Sequence, residues 1–207
     1  MRMHNRLMIG SATIFAVAAT TAATFAPTYA IASDRDDHRV KQIQIRDDCD
    51  PDTFNAAGLG KICVGDGDTT FQRFARQLTT LGRAPKWRFS PDKVHIELGD
   101  SFKANNRGGE LHSFTEVKQF GASVIPQVND LLGQHGAQPN QECATAVGKV
   151  PMTNPGTNNP EATTFTFPGQ SFTDTPAEPG TELYQCCIHP WMQAVITIRQ
   201  DRDRDDR

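Results

Sequence analysis

The chain has 207 residues, 37% hydrophobic and 22% charged, with a formal net charge of −3. Its length suits one domain with its own core. Its slightly acidic balance excludes the concentrated basic face that nucleic-acid binding requires.

Arg2 and Arg6 form a short positive head, and residues 7–24 are uncharged and rich in Ala, Ile, Val and Thr. Small residues follow at Thr28 and Ala30, or at Ala30 and Ala32, the spacing a signal peptidase reads. The apolar run approaches the length of a membrane anchor, but its Ala and Thr content and the two cleavage sites favour a signal peptide over residues 1–32. The expected mature protein is exported, periplasmic or extracellular, with no membrane span after cleavage and with disulfides permitted.

In the mature chain, residues 33–86 read as an N-terminal strand, a disulfide loop and a helix of the same domain. Residues 33–39 are mostly charged, and His38 among them is given no role. Residues 40–45 alternate apolar and polar apart from one slip in phase, which predicts a short strand. Residues 47–68 are loop-like, full of Asp and Gly, and hold Cys49 and Cys63. A disulfide between these two would close a local loop of about fifteen residues, contributing on the order of 3 kcal/mol in the chain-entropy account. Asp68 can cap a helix over residues 69–81, where Phe71, Phe74, Leu78 and Leu81 recur at helical spacing and Gly82 ends the run. That aromatic stripe is read as core packing.

Residues 87–200 read as the core of the domain. An extended region starts at 87–89. Val94, Ile96 and Leu98 alternate with His95 and Glu97, then Gly99-Asp100 turns the chain into a paired strand over 102–105. A second turn at 105–109 leads to a strand over 111–114. From 121 to 160 repeated Pro and Gly predict a long loop with at most one short helix near 128–132, and place His135 at the surface. Residues 163–167 and 171–173 are expected to form a hairpin around Pro168-Gly169. Strands over 181–186 and 194–198 flank a His-Pro-Trp-Met turn, and the Asp/Arg tail at 201–207 is expected to be solvated. Many short strands with one helical excursion predict an all-β sandwich.

The chemistry concentrates in Tyr184-Gln185-Cys186-Cys187-Ile188-His189-Pro190-Trp191-Met192. It offers thiolate, imidazole and thioether at a Cys-x-x-His-x-x-Met spacing within one inter-strand turn, which can fold all three toward one point. Soft sulfur with imidazole is the mixture copper takes, and a trigonal His₂Cys set with a weak axial Met is the blue-copper arrangement. His112, in a strand context well upstream, is the best supplier of the second imidazole; taken alone, such a His is more often structural.

A distant His followed by closely spaced Cys, His and Met resembles the cupredoxins, the plastocyanin- and amicyanin-like family of small blue copper proteins. The short Cys-x-x-His-x-x-Met turn is most similar to the amicyanin kind, and residues 94–100 and 105–112 resemble the strands leading to the family's first ligand. The resemblance covers about 87–198. Residues 46–82 and 118–160 are longer than in small members of the family, so the chain reads as a decorated variant. The resemblance implies a Greek-key β-sandwich holding one type 1 copper, with His112, Cys186 and His189 equatorial and Met192 weakly axial. It implies one-electron transfer with redox protein partners by a monomer that transforms no substrate. Ser113 stands where family members often carry an Asn that helps order the site, a departure that bears on the reduction potential.

Five cysteines leave one over after two disulfides, and a metal thiolate would account for it. Only Cys186 has the amicyanin-like gap to His189. On a strand it shares a face with Tyr184, leaving Cys187 on the other face to pair with Cys143. A vicinal 186–187 disulfide is the strained alternative. Pro190 and Trp191 either stiffen and pack the turn or form an apolar collar round an exposed edge of His189, where a partner docks; Met152 is a candidate addition to that patch. Rival readings are a copper carrier, a catalytic copper protein with an open coordination position, and a metal-free module using the fold alone. The first would favour Met-rich clusters, and the chain has five Met in all.

Overall fold

The computed structural model describes residues 39–58, 60–148 and 164–200. The expected signal peptide at 1–32, His38, the Pro-rich stretch at 149–163 with Met152, and the tail at 201–207 lie outside those residues. Among the described residues no helix is long and apolar enough to cross a membrane.

The described residues contain ten strands and four helices. In chain order they are β1 (Val40–Arg46), α1 (Pro51–Ala56), α2 (Phe71–Leu81), β2 (Arg88–Ser90), β3 (Lys93–Glu97), β4 (Ser101–Asn106), β5 (His112–Ser113) and β6 (Thr115–Val117). Then come α3 (Pro126–Leu131), α4 (Gln141–Val147), β7 (Phe165–Thr166), β8 (Ser171–Asp174), β9 (Gly180–Gln185) and β10 (Gln193–Arg199). One sheet has the order β2-β1-β4-β8, the other β3-β10-β9-β6, and β5 pairs with β7 in a separate two-stranded ribbon.

Strands β1, β3, β4 and β10 bury alternate residues, as a half-covered sheet requires. Ile43 and Ile45 of β1, Phe102 and Ala104 of β4, Val94 and Ile96 of β3, and Ala194, Ile196 and Ile198 of β10 meet in one core. The result is an all-β sandwich. Val40 is exposed, which resolves the slip in phase: only Ile43 and Ile45 of β1 face inward.

The pairing differs from the sequence-based expectation in two places. β3 and β4 do not pair, because β3 lies beside β10 and β4 between β1 and β8. The turn at Gly99-Asp100 carries the chain from one sheet to the other, with Asp100 Oδ1 and Oδ2 accepting from the N–H groups of Arg39 and Glu97. Likewise β7 and β8 form no hairpin: β7 pairs with β5 and β8 with β4. A single period-2 pattern fixes which face is buried, not which sheet receives it, and both strands fit either partner.

Helix content also exceeds the one excursion expected. α2 starts at Phe71 with Thr70 rather than Asp68 as its cap, Thr70 Oγ1 accepting from the Arg73 N–H. α3 fits the expected short helix. α1 and α4 were not expected; each is six or seven residues long, capped by Asp50 and Asn140 respectively. Helices that short carry no readable apolar period, and their caps are their chief sequence signal. Two disulfides, Cys49–Cys63 and Cys143–Cys187, tie α1's loop and α4 to the sandwich. The second sits in a small outer cluster with Val117, Ala146 and Phe165.

Candidate metal centre

The strand β9 ends at Gln185, and the chain then turns through 186–192 before β10. The turn is closed by its own backbone: Cys186 N–H donates to the Met192 carbonyl at 3.0 Å, and Met192 N–H to the His189 carbonyl at 2.9 Å. This brings the Cys186 thiol and the His189 ring to the same side. His112 reaches them from β5, which is tied to the turn by Ser113. The Ser113 N–H points at Cys186 Sγ (3.4 Å), and the Ser113 hydroxyl accepts the Cys187 N–H at 2.8 Å.

Three donor atoms therefore converge. Cys186 Sγ lies 3.7 Å from Nδ1 of His112 and 3.7 Å from Nδ1 of His189, and the two nitrogens are 3.3 Å apart. A point equidistant from all three lies about 2.1 Å from each, the length of a first-row metal–imidazole bond and a little short of a metal–thiolate one. All three residues are buried, and Cys186 is the free cysteine among the described residues. One soft thiolate with two borderline imidazoles is a donor set for a transition metal rather than for a hard cation. Met192, the last residue of the turn, is buried in the main core.

The metal-free electrostatics prepare the same chemistry. Burial alone would raise the Cys186 thiol, but hydrogen bonds and charge from His112 and His189 outweigh it and hold it well below its ordinary value. A thiolate is the form that binds metal.

Behind each ring stands a carboxylate that sequence reasoning did not single out. Asp47 Oδ2 is 2.8 Å from His112 Nε2. With Nδ1 facing the sulfur and a carboxylate on the other side, Nε2 is the donor. Asp47 also accepts the N–H groups of Gly109 at 2.9 Å and Glu110 at 3.0 Å. Burial opposes its charge, but the His112 contact and these two N–H groups outweigh burial and hold the carboxyl at about 2. The approach depends on glycine: a Cβ on Gly108 would overlap the Asp47 carboxylate, and one on Gly109 the backbone of Gly65. Glu110 Oε2 lies 3.7 Å from His189 Nε2 and accepts the Trp87 indole N–H. Burial raises the Glu110 carboxyl, with Asp47 adding to it and the two imidazoles opposing. Neither acid has a sequence signal beyond lying near a turn. A group formed by Asp47, Cys49 and Glu110 is no rival metal site, because Cys49 is spent in a disulfide.

His189 is covered. It is 3% exposed and Pro190 is buried, so the expected collar round an exposed imidazole edge is not present. The cover is aromatic: Phe74 of α2 sits edge-on to the ring at 6.2 Å, and Trp191 at 5.4 Å. The stripe on α2 packs in the core as expected, and one of its rings also roofs the site. His95 and His135 are exposed and far from this chemistry in role, His135 pairing with Asp130.

No family model and no curated protein sequence matches the chain. Among solved structures it is similar to a purple cupredoxin from Nitrosopumilus maritimus (17% identity over 77% of this chain and 99% of that one, TM-score 0.36). It is also similar to a mutant of amicyanin in its Cu(I) form (19%, 54% and 73%, TM-score 0.31) and to an oxidised mutant of amicyanin (12%, 81% and 88%, TM-score 0.33). The donor atoms, rather than these overlaps, carry the chemistry of the site. The chain is an all-β sandwich with a His–Cys–His group gathered between β5 and the turn after β9.

Proposed function

We propose that this protein is an exported mononuclear type 1 copper protein that carries single electrons between redox proteins, acting as a monomer. The observation that carries the reading is the buried triangle of His112 Nδ1, Cys186 Sγ and His189 Nδ1, with sides of 3.3 to 3.7 Å. In this reading these three atoms would hold the copper, with the thioether of Met192 as a further, weak donor. Bound copper would alternate between Cu(II) and Cu(I), exchanging one electron with a partner in each direction.

The chain's own residues supply the rest. Two sheet-anchored elements hold the donors, so the site keeps its shape between oxidation states and reorganisation is small. The Ser113 N–H steadies the thiolate, doing in this chain what a longer amide side chain would do by another route. Two disulfides support an oxidising compartment and hence export. A carrier that hands copper over needs accessible donors, and here all three are buried.

The test is the visible and EPR spectrum of the mature protein after addition of Cu(II). An intense thiolate-to-copper band with narrow copper hyperfine splitting is expected, absent in Cys186→Ser and retained in Cys187→Ser. Ordinary tetragonal copper overturns the reading in favour of a copper carrier, and a colourless protein overturns it in favour of a carrier or a metal-free module.

A further inference from the structure

We propose that Asp47 and Glu110 are paired positioning residues, each standing behind one ligand imidazole, which turn both rings Nδ1-first toward the metal and bias it toward its higher oxidation state. The inference rests on the copper reading above and concerns residues that reading does not use.

Both rings present Nδ1 to Cys186 Sγ, and both present Nε2 to a buried carboxylate, at 2.8 Å for Asp47 and 3.7 Å for Glu110. Neither acid reaches water: the Asp47 side chain is 1% exposed and that of Glu110 is 8% exposed. Neither position is accidental. Asp47 is held by the Gly109 and Glu110 N–H groups, and Glu110 by the Trp87 indole N–H and the Cys63 bridge beside it. Carboxylates behind ligating imidazoles fix ring orientation and raise ligand basicity. A negative charge buried near a metal favours the state with the larger positive charge, because low-dielectric surroundings screen it little. Copper in such a site therefore prefers Cu(II), and its reduction potential is lowered.

Voltammetry of the copper-loaded protein tests this. Asp47→Asn keeps one acceptor oxygen, enough for the Gly109 N–H, and removes the charge and the oxygen that faces His112 Nε2 and the Glu110 N–H. It is expected to raise the potential by at least a tenfold change in the Cu(II)/Cu(I) affinity ratio, about 59 mV for one electron. Glu110→Gln is expected to raise it by less, from its longer distance. An unchanged or lowered potential in either variant, with the thiolate band intact, overturns this inference and leaves the copper reading standing. A wild type without the band overturns both.

A measurement on the wild type guards against an Asp47 variant that does not fold. In the diamagnetic Cu(I) form, ¹H–¹⁵N correlation spectra should place the His112 ring proton on Nε2 with slow solvent exchange. A proton on Nδ1, or fast exchange, overturns the role assigned to Asp47.

Discussion

The turn at 186–192 and the segment from Asp47 to Trp87 meet at the same two imidazoles but come to them differently. The turn places Cys186 and His189 through bonds within itself, anchored on β9 and β10, so donor positions follow from short-range geometry. The other segment brings no strand to the main sheets between β1 and β2. It holds together through the Cys49–Cys63 disulfide, the Asp50 and Thr70 caps and a cluster of Phe54, Phe71, Phe74 and Trp87. One region supplies donors and the other supplies cover, an anion and the exclusion of water. Separating donors from cover lets the environment of a site change while its ligands stay fixed.

Removing the cover should therefore destabilise the fold before it alters the donors. Phe74 is buried and touches Phe54, Trp87, His189 and Trp191. Phe74→Ala is expected to cost about 3–5 kcal/mol, the usual range for emptying a Phe site in a core. Chemical denaturation measures the cost. With copper bound, the same variant should keep its thiolate band and lose copper faster to an added chelator. Loss of the band itself would mean that the roof shapes the ligand set, and the comparison would fail.

A smaller effect is expected from the staple. The Cys49–Cys63 bond closes a separation of 14 residues beside Gly109 and Glu110. The double substitution Cys49→Ala, Cys63→Ala should lower stability by about 3 kcal/mol in the chain-entropy account. Because Cys63 bridges to Glu110, it should also loosen the anion behind His189, visible as faster exchange of the Trp87 indole N–H. An equal loss of stability with unchanged indole exchange would confine the staple to holding α1.

The same division explains what was legible in the sequence. Cys186 and His189 have two residues between them, so one turn displays them together and the spacing could be read directly. The buried face of β3 was readable too, since Val94 and Ile96 obey period 2. Partners were not. β3 with β10, and β7 with β5, are joined across tens to about a hundred residues, and a two-residue strand such as β5 carries no pattern of its own. Asp47 and Glu110 were hidden for the same reason. An acid next to a glycine turn is ordinarily solvated, and only the close approach of Gly65, Gly108 and Gly109 takes these two out of water. Phe74 was legible as core but not as a neighbour of His189, because helical spacing says which residues share a face and not what that face meets.

The contact between Asp47 and His112 joins the two regions, and pH tests it in the metal-free protein. Asp47 is held at about 2 in the fold against an ordinary 3.8. A depressed carboxyl contributes stability that is fully present above the unfolded value and disappears as pH falls through the folded one. His112 moves the other way. Burial works against its charge, but hydrogen bonds to Asp47 and Cys186 and the neighbouring negative charges raise it from 6.5 to about 10. Its contribution is complete below about 6.5 and is lost as pH rises toward about 10. The pair should therefore stabilise the metal-free fold most between about pH 4 and 6.5, by about 2 kcal/mol on the acid side, taking 1.36 kcal/mol per pKa unit. Urea midpoints measured from about pH 2 to about pH 6.5 for wild type and Asp47→Asn would show the variant flatter on the acid limb and weaker at the plateau. Identical curves would mean that the two regions are held together by the aromatic roof alone.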